Sequence, residues 1–179
     1  MNQRSSLDNL LQPLLAWWDE RLIQLGFNRP PASQSERRQR LEAMYTKMAK
    51  QFPAVAEISA LELMQLQREQ SVVLVDVRSP QEQAVSMLPG AMTQAAFEQE
   101  HDRLPDVPIV AYCTIGYRSG LFAQRLQQQG IPVRNLRGSI LAWTHAGGDL
   151  MDASGQPTRK LHVYSRRWEL VADGYEAVW

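Results

Sequence analysis

The chain has little cysteine: Cys113 is the only one among its 179 residues. One cysteine cannot close an internal disulfide, and it cannot build a metal site from several thiolates. We therefore expect a protein of a reducing compartment, the cytoplasm. The three histidines, His101, His145 and His162, lack the spacing of a metal site, so we expect no metal and no cofactor.

The chain also lacks an excess of charge and any long apolar run. Its 19 basic residues balance its 19 acidic residues, so the formal net charge is zero. Such a balance gives no electrostatic reason to expect nucleic acid or an anionic membrane as a partner. No stretch approaches the roughly 18 apolar residues of a membrane span. The first residues, where polar side chains and Pro13 interrupt the leucines, make a poor secretory signal.

Pattern divides the chain into three regions: an N-terminal helical extension (1–56), an α/β region (57–148) and a C-terminal tail (149–179). Leucines recur at helical spacing from residue 7 to residue 25, which predicts a first helix. That apolar stripe would pack against the domain or form a homodimer with a second copy. We expect the tail, which is rich in aromatic and basic residues, to pack on the domain because its tryptophans would otherwise be exposed.

A second helix is predicted to begin at Ser33, where Glu36 can complete a capping box. Pro53 is expected to end it. Another capping box, Ser59 with Glu62, predicts a helix through Leu66.

Strand and helix patterns alternate in the middle region. Apolar or β-branched runs predict strands at 72–77, 108–112 and 132–136, and helices are predicted at 80–85, 119–129 and 139–145. A further helix is expected at 97–104. This order predicts an α/β fold with a mainly parallel central sheet. In such sheets ligands bind at the carboxyl ends of the strands, which is where Cys113 lies.

Cys113 follows a predicted strand and precedes a predicted helix, so it lies on a tight turn. Backbone N–H groups and the helix dipole favour an anion at such a turn. A sulfur held there should ionise readily and act as a nucleophile. Gly116 permits a backbone conformation that a side chain would obstruct.

The middle region resembles the rhodanese-like domain of sulfurtransferases, in four motifs that follow one another in the family's order. The motifs are Asp76-Val77-Arg78 with Glu82, Leu88-Pro89-Gly90-Ala91, Cys113-x-x-Gly116-x-Arg118-Ser119, and Leu136-Arg137-Gly138-Ser139-Ile140-x-Ala142-Trp143. The resemblance implies a three-layer α/β domain. It also implies that Cys113 takes the outer sulfur of a donor as a persulfide and passes it to cyanide or a thiol.

The same resemblance assigns roles to neighbouring residues. It implies an active-site loop around Cys113, formed by Thr114, Ile115, Gly116, Tyr117, Arg118 and Ser119. Arg118 would bind an anionic donor or stabilise the loop. Asp76 and Arg78 would support the site structurally, and Arg78 is expected to pair with Glu82. Trp143 is expected in the core.

The spacing from Cys113 to Arg118 bears on two related chemistries. The six-residue span resembles the sulfurtransferase loop, whereas related phosphatases and arsenate reductases have one residue more. Tyr112 also stands where phosphatases have a histidine. A cysteine phosphatase or arsenate reductase is therefore the less favoured enzyme.

A further alternative is a non-catalytic module that binds another protein through the rhodanese fold. Ser86-Met87 replace the Gly-His that the family often has, which alters local packing but not the nucleophile. Thiosulfate is a dianion, and a loop with one cation leaves the donor open. Thiosulfate, another small donor and a protein that carries a persulfide all remain candidate partners.

Overall fold

The computed structural model describes residues 31 and 33–179, and residues Ser33–Trp179 form one compact unit. The predicted leucine-rich helix at 7–25, and with it the predicted homodimer contact, lies outside the described residues. Residues 33–56, assigned to the extension from the sequence, belong to the same compact unit as the α/β region.

The central sheet of this unit has five parallel strands, in the order β1-β5-β4-β2-β3. The strands are β1 (Glu57–Ile58), β2 (Val73–Asp76), β3 (Met92–Thr93), β4 (Ile109–Tyr112) and β5 (Val133–Leu136). The predicted parallel sheet and its three central strands are confirmed. The edge strands β1 and β3 were not predicted, because a two-residue strand is too short to show a pattern.

From residue 33 onward, six α-helices flank or cover this sheet. They are α1 (Gln34–Ala49), α2 (Ala60–Glu69), α3 (Pro80–Val85), α4 (Gln94–Glu100), α5 (Tyr117–Gln128) and α6 (Ser139–His145). The capping box between Ser59 and Glu62 is present, and Ser79 with Glu82 forms a second one. Within the described part of the chain, no helix combines the length and apolarity needed to cross a membrane.

Helix α1 packs its apolar side against α5 and α6. It ends at Ala49, earlier than predicted, because a turn follows in which the Phe52 N–H donates to the Ala49 carbonyl at 3.1 Å. This turn brings the buried Phe52 ring onto Gly120 of α5. A Cβ at Gly120 would lie 2.3 Å from that ring, so a glycine is required for this close approach.

The C-terminal residues form two small sheets that are partly buried: Leu150 and Leu161 are covered, whereas Pro157, Lys160 and Glu176 are exposed. β6 (Leu150–Met151) pairs with β7 (Pro157–Thr158), and β8 (Lys160–His162) pairs with β9 (Glu176–Val178). The following side chains are fully buried: Leu150, Leu161, Val163 and Leu170. Trp143 is buried as predicted, and its indole N–H donates to the Asp149 carbonyl at 2.9 Å.

Candidate active site

Cys113 directly follows β4, and the loop after it leads into α5. Gly116 ends this loop with a φ of +112°, which L-residues with side chains rarely adopt. A Cβ at this position would also lie 2.5 Å from the Tyr45 ring. Gly116 is therefore required both for the turn and for the contact with α1.

The Cys113 side chain is only 1% exposed, yet polar groups surround its sulfur. The Gly116 N–H donates to Sγ at 3.1 Å, and the Ser139 hydroxyl lies 4.0 Å from it. Burial raises the pKa of the Cys113 thiol, but the positive charge of Arg118 and hydrogen bonds from Ser119 and Gly116 lower it. The net effect holds this pKa below its ordinary value. The surroundings thus favour the thiolate over the thiol.

Helix α6 holds the carbonyl groups of the Cys113 loop. The N–H groups of Ile140 and Leu141 donate to the carbonyls of Cys113 and Thr114, at 3.2 and 3.3 Å. The Cys113 N–H donates to the Ser139 hydroxyl at 3.0 Å. These bonds fix the backbone of the loop on α6, and in this backbone the Gly116 N–H reaches the sulfur.

Arg118, which is partly exposed, forms a cluster with the buried Glu82 and Thr114. Its guanidinium donates to both carboxylate oxygens of Glu82, at 2.8 and 2.6 Å, and to the Thr114 hydroxyl at 3.1 Å. Burial raises the pKa of Glu82, but the hydrogen bonds and charge of Arg118, together with the Ser79 N–H, lower it to about 2. Glu82 is therefore ionised at neutral pH, and its charge offsets that of Arg118.

The predicted ion pair between Arg78 and Glu82 is wrong. Arg78 pairs with Asp76, with a distance of 2.7 Å between Nη2 and Oδ2, and both side chains are fully buried. Asp76 also accepts the Arg78 N–H at 2.9 Å, so the two-residue spacing allows one carboxylate to bind both the backbone and the guanidinium. The Glu82 carboxylate instead faces Arg118 of α5.

The remaining loop side chains carry no charge. Ile115 is buried, and the Tyr117 hydroxyl donates to Gln51 at 3.2 Å. At the positions that replace Gly-His, Ser86 is buried and Met87 forms backbone hydrogen bonds with Met151. Among residues 33–179, no group of three or more His, Cys, Asp or Glu side chains is placed to bind a metal ion.

Three residues near the loop were not predicted to contribute to it: Ser139, Asn135 and Tyr45. Asn135 had a signal in the sequence, because asparagine is disfavoured in a buried strand unless its amide is bonded. Tyr45 had none, since it belongs to the apolar stripe of α1. Ser139 lies in the recognised Leu136-to-Trp143 motif, but its contact with a cysteine 26 residues away depends on the fold.

Comparison with known proteins shows which family this sequence resembles. The sequence model of the rhodanese-like domain family matches residues 59–146. A protein of Allochromatium vinosum named sulfurtransferase is 37% identical over 107 residues, which cover 56% of this chain and 99% of that protein. An uncharacterized protein of Synechocystis is 32% identical over 104 residues, 56% of this chain and 58% of that protein.

A solved structure has the same fold. The thiosulfate sulfurtransferase of Pseudomonas aeruginosa superposes with a TM-score of 0.53 at 23% identity. The match covers 65% of this chain and 23% of that one. At this identity the superposition shows the arrangement of sheet and helices alone.

Proposed function

The chain belongs to the rhodanese-like domain family, and from this we propose that it is a sulfurtransferase with Cys113 as its nucleophile. The observation that supports the proposal is the set of groups around Sγ. A backbone N–H, a nearby hydroxyl and the charge of Arg118 all favour the thiolate over the thiol. The same groups would stabilise the terminal charge of a persulfide, as donors do in an oxyanion hole.

The reaction has two displacement steps and no net redox change. In the first, the Cys113 thiolate attacks the outer sulfur of the donor, and the bond between the donor's two sulfurs breaks. The donor leaves with the electron pair, as sulfite from thiosulfate or as a thiolate from a persulfide. In the second, cyanide or a thiolate attacks the terminal sulfur of the Cys113 persulfide. The bond to Sγ then breaks and the Cys113 thiolate is restored.

The charges near the loop favour a donor with little negative charge. Arg118 is paired with Glu82, and Arg78 is paired with Asp76. Neither pair therefore offers a net positive charge to a dianion. We propose that both thiosulfate and small persulfides react and that persulfides react with the higher kcat/KM.

The activity is tested by measuring sulfur transfer to cyanide with thiosulfate and, separately, with an organic persulfide. We expect thiocyanate from both donors and at least a fivefold higher kcat/KM for the persulfide. Cys113→Ser should reduce the rate to background, because a serine hydroxyl is not ionised at neutral pH. A wild-type protein that transfers no sulfur from any donor would refute the proposal.

The Cys113→Ser variant separates sulfur transfer from the binding-module alternative, and an aryl phosphate assay tests the phosphatase alternative. A binding module would capture its partner equally well as the wild type and as the Cys113→Ser variant, and neither protein would transfer sulfur. A phosphatase would hydrolyse an aryl phosphate, which we expect this protein not to do.

A further inference from the structure

Asn135 of β5 uses every polar atom of its side chain in the scaffold of the Cys113 loop. Its Nδ2 donates to the Gly116 carbonyl at 2.8 Å and to the Tyr45 hydroxyl at 3.2 Å. Its Oδ1 accepts the Ser119 hydroxyl at 2.7 Å. The side chain is fully buried, so no water replaces these bonds readily.

Tyr45 of α1 fixes the direction of these hydrogen bonds. Its hydroxyl donates to Glu57 of β1 at 2.7 Å. Burial and the neighbouring Glu57 carboxylate raise the pKa of Tyr45 well above its ordinary value, so the hydroxyl keeps its proton. Because that proton is directed to Glu57, the Tyr45 oxygen can only accept from Asn135. The Asn135 amide is therefore held in one orientation.

The two loop residues that Asn135 holds both have backbone N–H groups that favour the Cys113 thiolate. Gly116 donates its N–H to Sγ, and its carbonyl is bonded to Asn135. The Ser119 N–H favours the Cys113 thiolate, and the Ser119 hydroxyl donates its one proton to Asn135. A change at Asn135 would therefore move both groups relative to the sulfur.

We propose that Asn135 and Tyr45 are positioning residues for sulfur transfer: they hold Gly116 and Ser119 where the backbone N–H groups of these two residues face the Cys113 sulfur. The inference rests on the proposed function, since it concerns the same nucleophile. Tyr45 and Glu57 both lie before residues 59–146, which the family model matches. The protein thus completes its catalytic loop with a residue from outside the family domain.

Other charged groups surround the hydrogen bonds of Asn135 and Tyr45, and the substitutions proposed below leave these charges unchanged. Arg118 and Glu82 lie on the α3 and α5 side of the sulfur. Arg137 lies 6.0 Å from the Tyr45 ring and pairs with Glu42. Substitutions that remove only the Tyr45 hydroxyl or the Asn135 amide alter none of these charges.

The test is the pH dependence of Cys113 alkylation by iodoacetamide, which reports the thiol pKa directly because the chain has no other cysteine. We expect Asn135→Leu to raise this pKa by about one unit and Tyr45→Phe to raise it by about half a unit. The thiol pKa of the double variant should be no higher than that of Asn135→Leu alone, because Tyr45 acts on the Cys113 loop through Asn135. Tyr175→Phe is the matched control. It removes a hydroxyl bonded to Gly148 and Arg159, and the thiol pKa should not change.

Thermal unfolding of each variant separates positioning from a purely structural role. If Tyr45→Phe lowers the melting temperature and leaves the thiol pKa unchanged, the inference is wrong. Fully additive effects in the double variant would also overturn it. Tyr45→Phe keeps the test decisive should Asn135→Leu fail to fold. Because alkylation needs no sulfur donor, a protein that transfers no sulfur would refute the proposed function without removing the expected shifts.

Discussion

Glu82 illustrates how one side chain serves several contacts. Its Oε2 accepts the Ser79 N–H at 2.9 Å and so completes the capping box of α3. The same carboxylate binds Arg118 and accepts the Thr114 hydroxyl at 2.9 Å. The start of α3 is therefore tied to the Cys113 loop through a single buried anion.

The low pKa of Glu82 predicts a pH-dependent stability. In the folded protein this pKa is about 2, below its ordinary value of 4.5. The ionised carboxylate therefore stabilises the fold above about pH 5, and that contribution is lost as the pH falls from about 5 towards 2. As the pH falls from about 5 to about 2, the free energy of unfolding of the wild type should decrease by about 3 kcal/mol more than that of Glu82→Gln. Urea unfolding at a series of pH values measures this difference.

The matched control for Glu82 is Glu98→Gln, which removes a half-exposed carboxylate paired with Arg125. Its stability should stay within about 1 kcal/mol of wild type at neutral pH. Identical pH profiles for Glu82→Gln and wild type would show that the buried carboxylate does not stabilise the fold.

At this scale the sequence predicts residues within a motif better than contacts between motifs. The position of Cys113 before a glycine-containing turn was sufficient to predict that its sulfur lies beside a backbone N–H, that of Gly116. The partner of Arg118 was not predicted, because Glu82 is 36 residues away and only the fold brings them together. Sequence proximity suggested Arg78 instead, which Asp76 binds.

Helix α1 and the turn after it pack against glycines in the Cys113 loop, in α5 and at the start of α6. Tyr45 contacts Gly116, Phe52 contacts Gly120, and Leu41 lies 3.7 Å from a Cβ built at Gly138. Two of these glycines, Gly116 and Gly138, also have positive φ, of +112° and +67°. The close approach of α1 and the shape of the loop are therefore linked.

This contact predicts that Gly120→Ala destabilises the protein by about 1–3 kcal/mol, because its Cβ would clash with the Phe52 ring. A smaller side chain at position 52 relieves the clash. The double variant Gly120→Ala with Phe52→Leu should therefore lose less free energy of unfolding than the two single variants lose together. Denaturant unfolding measures all three losses. If the losses of unfolding free energy simply add, residues 52 and 120 do not contact each other in the folded protein.

Elements with a strong pattern were predicted almost to the residue. The helices at 80–85 and 139–145 were predicted with the bounds that α3 and α6 have. The end of α1 was not, because no proline or glycine marks it and the turn depends on the burial of Phe52. Strands β1 and β3 exist only through pairing with β5 and β2, which local sequence does not encode.

The C-terminal residues complete the core of the compact unit. The Thr144 hydroxyl of α6 donates to the Leu141 carbonyl at 2.7 Å and accepts the Ala172 N–H at 3.1 Å. His145 makes a further contact, at 2.8 Å from the Leu170 carbonyl. The end of α6, whose first turn holds the Cys113 loop, is thus bonded to the C-terminal residues.

We expect Thr144→Val to destabilise the protein by about 1–3 kcal/mol, because the buried Ala172 N–H loses its acceptor while the volume stays the same. Thr144→Ser is the control and should cost less, since it keeps the hydroxyl. Both are measured by denaturant unfolding. Equal stability of Thr144→Val and wild type would show that the bond between α6 and the C-terminal residues is not needed.

The central claim is that Cys113 carries the transferred sulfur, and intact-protein mass after a single turnover tests it most directly. The protein is incubated with a persulfide donor, separated from excess donor, and measured before and after cyanide is added. We expect a mass gain of one sulfur atom on Cys113, absent from Cys113→Ala and removed by cyanide. If the wild-type protein gains no sulfur, or Cys113→Ala gains as much, Cys113 does not carry the transferred sulfur.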